Sequence, residues 1–421
     1  MKFVHAADLH LDSPLLKLSR YEARQVERMQ RATREAFTRL IDLCIAREAA
    51  FLVIAGDLYD HDCPNMQIAV FLRKELRRLE EKGIRCVVIK GNHDAANKIT
   101  SALALPASTR VLGERAPETV TFDDLPVRVA VHGQSFRPGP VPENLAASYP
   151  APLAGCYNIG LLHTSLAGAS DHDVYAPCTQ DELISRGYDY WALGHIHRRA
   201  VLSRDPLIVF PGNLQGRHAR ESGPKGCYVV EVDDAGRTMS ATFVALDAVR
   251  WLRADVDLKG RHSEADLIES LREALQHAWL ESDGRTAAIR VALTGRTPLH
   301  ALIERRPHRL RQTTIELADE IAGDDVWIEK IVNETTAPGG IETGLSDEAH
   351  DLVGIMQEIA GSVGQIGPLL AKELEPLRTR LPGDLKEISS LRLIEDPALC
   401  LQMLDRLQPR LAARLAGEED A

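Results

Sequence analysis

Short apolar runs recur along the first part of the chain, and each leads into a polar residue able to bind a metal ion. Lys2-Phe3-Val4 leads to Asp8 and His10, and Phe51-Leu52-Val53-Ile54 leads to Asp57. Cys86-Val87-Val88-Ile89 leads to Asn92 and His93, while Ile159-Gly160-Leu161-Leu162 ends at His163. A fifth run, Tyr190-Trp191-Ala192-Leu193, leads to His195 and His197. Runs of this length and composition read as buried strands. Between the first two, Met29, Thr33, Ala36, Phe37, Leu40 and Cys44 recur at helical spacing. Ile68 to Glu81 forms a second helical segment, closed by Gly83. Strands alternating with helices predict a layered α/β domain. The later strands, Val127 to His132, Leu207 to Phe210 and Gly226 to Val232, lie closer together, so the expected fold is two packed mixed β-sheets flanked by helices.

Near Arg250 the pattern changes. Trp251 to Leu258 reads as a strand, Ser263 to Trp279 as an amphipathic helix, and Ala287 to Leu293 as another strand, with Val326 to Val332 as a final one. Ser263 stands at the N-cap, and Asp266 takes the place usually held by Glu or Gln in a capping box. Ala337-Pro338-Gly339-Gly340 then breaks the pattern. Beyond it Leu352, Met356, Ile359 and Val363, and later Cys400, Leu404, Leu407 and Leu411, form apolar stripes at helical spacing. Three regions are expected: 1–248 with every ligand candidate, 249–336 as a small βαβ capping domain, and 337–421 as a helical region suited to docking a partner.

Composition narrows the function classes. In 421 residues with 44% hydrophobic content, no apolar stretch approaches the roughly 18 residues of a spanning helix. The N-terminus carries no secretory pattern. Seven scattered cysteines without a CxxC pair argue against a disulfide framework or thiolate zinc site. The expected location is therefore the cytoplasm, without membrane contact. A net charge of −11 argues against a generally basic nucleic-acid-binding surface, though a local basic groove remains compatible with it.

Taken singly, each ligand candidate reads as a core histidine or a turn-forming carboxylate or amide. Together they form an oxygen and nitrogen donor set that suits Mn²⁺, Fe²⁺ or Zn²⁺, with Mn²⁺ favoured by the carboxylates and the amide. Asp8 and His10 are two apart, as are His195 and His197, so an extended backbone would point each pair to one side. Two ions roughly 3.5–4 Å apart could clamp a phosphate and activate a water for in-line attack, with Asp57 as the natural shared carboxylate. Arg198, Arg217 and Arg220 lie near the ligands in sequence and are candidate substrate contacts. His5 and His132 read as structural.

The blocks Asp8-Leu9-His10, Gly56-Asp57, Gly91-Asn92-His93-Asp94, His163 and Gly194-His195-Ile196-His197 resemble the calcineurin-like metallophosphoesterases in order and spacing. The opening from His5 to Pro14 is similar to the DNA-repair exonucleases of the SbcD and YhaO type. So is Phe210-Pro211-Gly212-Asn213-Leu214-Gln215-Gly216-Arg217 followed by Gly223-Pro224-Lys225-Gly226. The resemblance implies that Asp8, His10 and His197 hold one ion and Asn92, His163 and His195 the other, with Asp57 shared. It implies that His93 faces the phosphate, with Asp94 orienting its ring. It also implies DNA as substrate and an SbcC-like coiled-coil ATPase as partner; a second copy of the chain is a further candidate partner. One departure stands out. Where the break-repair nucleases commonly carry a histidine three residues after the bridging aspartate, this chain has Asp60, with His61 one place late. That leaves DNA positioning by a histidine here, and the balance of exonuclease and endonuclease activity, open. The alternatives are a phosphatase or phosphodiesterase for small-molecule or phosphoprotein esters, and a scaffold protein without catalysis.

Overall fold

A computed structural model describes residues 1–13, 23–60, 66–95, 105–166 and 175–338, together with Ile355. The chain divides into two compact units. One is Met1–Leu252 with Ser282–Ala288, and the other is Arg253–Glu281 with the described residues from Ile289 onward.

In the first unit the chain lays down β1 (Lys2–Ala6), β2 (Phe51–Ala55), β3 (Arg85–Ile89) and β4 (Thr109–Val111) as parallel neighbours. A second sheet follows, made of β5 (Glu118–Phe122), β6 (Val129–Gly133), β7 (Tyr157–His163), β8 (Tyr190–Gly194), β9 (Ala200–Arg204) and β10 (Leu207–Phe210). The chain then returns to the first sheet with β11 (Gly226–Val232) and β12 (Thr238–Ala245). The strand orders are β12-β11-β1-β2-β3-β4 and β5-β6-β7-β8-β10-β9. Both sheets are mixed, because β11 runs antiparallel to β1, β5 to β6 and β9 to β10. Helices α1 (Ala23–Ala46) and α2 (Met66–Glu80) make the crossovers from β1 to β2 and from β2 to β3. A single turn, α3 (Asn92–Ala95), follows β3, and α4 (Gln180–Ser185) precedes β8.

Side-chain alternation explains the layers. On β2, Phe51, Val53 and Ala55 enter the core between the sheets, where they join Phe3, Val87, Val131, Ile159 and Tyr190. Leu52 and Ile54 point the other way, into a second core with Phe37, Leu40, Leu72 and Leu76 of α1 and α2. Strands buried on both faces lose polar alternation, which is why β2, β7 and β8 read as continuous apolar runs. The sheets thus pack face to face, with α1 and α2 outside the first. His5 is used structurally: its ring nitrogens lie 2.9 Å from the Tyr190 hydroxyl and 3.2 Å from the Leu193 carbonyl, pinning β1 to β8. His132 likewise meets Thr119 and Asn158 and stacks on Tyr188.

The second unit contains α5 (Glu264–Glu281), α6 (His300–Arg305), α7 (Pro307–Ala322), β15 (Val326–Asn333) and the greater part of β13 (Val249–Asp257) and β14 (Thr286–Thr294), whose first residues belong to the first unit; the strand order is β13-β14-β15. Ser263 caps α5: its hydroxyl accepts from Asp266 N at 3.1 Å, and the Asp266 carboxylate accepts from Ser263 N at 3.0 Å. The unit exceeds a βαβ motif by α6 and α7, with Pro307 at the first turn of α7, where its missing N–H costs no hydrogen bond. The expected C-terminal helices lie outside the described residues. No helix among the described residues is long and apolar enough to cross a membrane.

Candidate metal centre

All five candidate segments lie at the carboxyl ends of parallel strands, where side chains can converge from several connections. Asp8 and His10 follow β1, Asp57 follows β2, Asn92 and His93 open α3, His163 ends β7, and His195 and His197 follow β8. Backbone bonds zip the first two loops together: Asp8 N donates to Gly56 O at 3.1 Å and His10 N to Asp57 O at 3.0 Å. Across the two sheets, His195 N donates to both Asp8 carboxylate oxygens at 3.0 and 3.1 Å. The backbone here is not extended. Asp8 (φ 51°), His10 (φ 43°), Asp57 (φ 53°) and His195 (φ 98°) are left-handed, so it is the turns, not strand alternation, that aim these residues. Such conformations cost on the order of 1–3 kcal/mol each and persist where surrounding structure enforces them.

The side chains form three overlapping clusters, one of them His10, Asp60 and His93. Asp8, His10 and His197 each offer a ligand atom within 4.8 Å of the others, and so do Asp8, Asp57 and His163. His10 Nε2 and His197 Nε2 lie 3.1 Å apart. Asp57 Oδ2 lies 3.8 Å from His10 Nε2 and 3.4 Å from His163 Nε2, which brings this carboxylate of the Asp8–Asp57–His163 cluster within reach of the Asp8–His10–His197 cluster. Asn92 Oδ1 is 3.0 Å from His163 Nε2, and the His195 ring stands 5.1 Å from the His163 ring, centre to centre.

The donor set fits divalent ions. Each of three histidines turns Nδ1 to an acceptor: His10 to Asp60 at 2.6 Å, His197 to Glu221 at 2.8 Å and His163 to the Ala55 carbonyl at 2.8 Å. That fixes the tautomer and leaves Nε2 as the ligand atom. Two imidazole lone pairs at 3.1 Å repel unless a cation lies between them. Burial and the Arg217 cation push the His10 pKa down to about 3, so its Nε2 keeps the lone pair at neutral pH. Burial also raises the Asp8 pKa. Asp57, despite its burial, is held far below the usual carboxylate range by His163, His10 and His93. Burial opposes charge on His163, yet the Asp57 and Asp8 carboxylates push its pKa up to about 9. The cluster therefore demands positive charge at its centre.

Gly194 shows how closely the sheets meet here. A Cβ at this position would stand 1.9 Å from Ala55 O and 3.0 Å from His163 Nδ1, the two atoms that hydrogen-bond across the seam. Gly194→Ala is expected to lower stability by roughly 3 kcal/mol, at the upper end for an overpacked site. The check is a urea titration in which the midpoint falls and the slope is unchanged.

His93 stands beside the two Asp8 clusters with its side chain 28% exposed, against 1% for His10. Its backbone N donates to Asp57 Oδ1 at 3.0 Å, and its Nδ1 lies 3.1 Å from Asp60 Oδ1. The residue behind His93 is thus Asp60, not Asp94. The Asp94 carboxylate accepts from Leu58 N, Tyr59 N and Gly91 N at 3.0, 3.0 and 3.1 Å, tying the β2 and β3 loops together. Arg217 does not stand free for substrate. Its guanidinium lies 3.5 Å from Asp60 and 3.4 Å from Glu221. Arg198 and Arg220 are exposed. His61 lies outside the described residues. Asp60 and Glu221 went unrecognised in the sequence; a carboxylate in a Gly-Asp-x-x-Asp block was the one available signal for Asp60.

Residues 1–199 match the family model of the calcineurin-like phosphoesterases, and residues 251–336 match that of the metallophosphoesterase YhaO middle domain. The chain is 33% identical over 339 residues to the uncharacterized metallophosphoesterase YhaO of Bacillus subtilis, covering 80% of this chain and 82% of that one. Similarity extends to the DNA double-strand break repair protein Mre11 of Methanopyrus kandleri, 28% identical over 65% of this chain and 62% of that one. A component of the nuclease SbcCD of Staphylococcus epidermidis is 24% identical over 60% of this chain and 71% of its own length.

Proposed function

The chain belongs to the calcineurin-like metallophosphoesterases of the YhaO type, and on that premise we propose that it is a Mn²⁺-dependent phosphodiesterase that cleaves DNA. One observation carries the reading: two ligand clusters share Asp8, Asp57 of one reaches His10 of the other, and His93 with its Asp60 partner stands beside them. Asp8, His10, His197 and Asp57 would hold one ion, and Asn92, His163, His195 and Asp57 the other. Divalent ions bound there supply a nucleophilic water at neutral pH and neutralise charge on the phosphate. The chain itself holds the imidazoles by their Nδ1 partners and keeps the centre buried. It also presents His93 Nε2 to a phosphate oxygen or the leaving oxygen.

Support for DNA comes from the names of the more distant relatives, a break-repair protein and a nuclease component. In this reading Arg198 and Arg220, exposed near His197 and Arg217, contact the phosphate backbone. Residues 249–336 shape the substrate groove, and residues 337–421 dock an SbcC-like coiled-coil ATPase in the cytoplasm. The test is purified chain with Mn²⁺ on linear DNA and on bis-p-nitrophenyl phosphate, with and without the ATPase. Cleavage of both substrates is expected. Turnover of the small diester while DNA stays intact, even with the ATPase present, assigns the site to small esters instead. No turnover of either, with metal bound, leaves a scaffold.

A further inference from the structure

The two histidines of the Asp8 cluster are backed differently from His163. His10 and His197 each donate from Nδ1 to a carboxylate, Asp60 or Glu221, whereas His163 donates to the neutral Ala55 carbonyl. A carboxylate behind an imidazole raises its basicity as a ligand, and losing such a partner typically costs about 10–100-fold in metal affinity. Glu221 is held firmly for this task. It is 8% exposed, and four N–H donors converge on its two oxygens. They are His197 Nδ1 at 2.8 Å, Asn213 Nδ2 at 2.8 Å, Arg217 N at 2.7 Å and Arg217 Nη2 at 3.4 Å. Only an acceptor on both oxygens satisfies that set; a glutamine amide would turn donors on donors. The loop bearing Glu221 is anchored in turn. Gln215 accepts from Ala248 N at 2.7 Å and donates to Val249 O at 2.6 Å, and Lys225 Nζ donates to His197 O at 2.9 Å. Arg217 lies between the Asp60 and Glu221 carboxylates, so both supports are joined through one guanidinium.

We propose that Glu221 is a positioning residue dedicated to one ion of the pair, which makes the ion at Asp8, His10 and His197 the more tightly held. The inference rests on the two-metal reading above. In its terms, Glu221 sets the tautomer and aim of His197, and has no purchase on the ion at Asn92, His163 and His195.

Calorimetric titration of the full metal-free chain with MnCl₂ tests this. The wild type should show two classes of site. In Glu221→Gln the tighter class should weaken about 10–100-fold while the weaker class stays within about twofold. Glu221→Asp keeps an acceptor-only group and so guards against misfolding of the amide variant. It should give a smaller loss, confined to the same class. Two equal sites in the wild type, unchanged affinities in both variants, or an equal loss in both classes overturns the proposal, the last because a merely structural role would act on both. A wild-type chain that takes up no Mn²⁺ overturns the two-metal reading itself, and is told apart from those results by the wild-type titration alone.

Discussion

Asp57→Ala is expected to abolish phosphodiester hydrolysis, lowering turnover by roughly 10⁴-fold or more, and to leave the chain unable to retain two ions. The magnitude follows from the several kcal/mol of charge stabilisation that a metal supplies, at about 1.4 kcal/mol per tenfold. The geometry explains why this carboxylate matters most. It lies 3.8 Å from His10 Nε2 and 3.4 Å from His163 Nε2, so one carboxylate oxygen is within reach of the ligand nitrogens of both clusters. Its other oxygen accepts from His93 N at 3.0 Å, so losing it also loosens the turn that presents His93. Asp57→Asn separates these effects. The amide keeps the shape and one acceptor for His93 N, so the fold and the turn should survive while the shared anionic ligand is gone. Metal content after gel filtration, measured with turnover of bis-p-nitrophenyl phosphate, decides the matter. Two ions retained per chain with more than about a tenth of wild-type turnover in Asp57→Asn would remove Asp57 from the bridging role.

Much of the first unit was legible because its central strands are buried on both faces. Leu207–Phe210 and Gly226–Val232 fall where the apolar runs place them, and the Ser263 cap begins its helix as read. The edge strands escaped notice for the converse reason. Glu118–Phe122 and Thr238–Ala245 are half exposed, so their side chains mix polar and apolar types like loops do. Helix Pro307–Ala322 buries only Thr314, Leu317 and Ala318, too thin a stripe to reveal a period of 3.6. At the site, the histidines and Asp8, Asp57 and Asn92 were readable because few roles suit such residues after a buried strand. Asp60 and Glu221 were not, since a lone loop carboxylate reads as solvated until the fold places His10, His93 or His197 against it. The same holds for Arg217, whose neighbours Asp60 and Glu221 come from loops 157 and 4 positions away in the chain. Local pattern chose the ligands, and only tertiary structure revealed what orients them.

His93→Ala should lower kcat by roughly 10³-fold while both ions stay bound, because His93 belongs to neither the Asp8–His10–His197 nor the Asp8–Asp57–His163 cluster and, in its own group with His10 and Asp60, turns Nδ1 toward the Asp60 carboxylate. The substrate dependence of the loss then tells which task the ring performs. Burial alone would lower the His93 pKa, but the Asp60 hydrogen bond and the nearby Asp57 carboxylate raise it, favouring the protonated ring. A protonated imidazole at this position can donate to the leaving oxygen. p-Nitrophenolate leaves well without a proton and a DNA alkoxide does not, so the loss should be larger on DNA than on bis-p-nitrophenyl phosphate. Asp60→Asn removes the acceptor that sustains the raised pKa. Since the acid form is the active one, the alkaline limb of kcat/KM should move to lower pH in that variant. Equal losses on both substrates, with an unmoved alkaline limb in Asp60→Asn, would assign His93 to charge stabilisation alone. Loss of an ion in His93→Ala would instead make it a ligand, against the geometry that turns its Nδ1 toward Asp60.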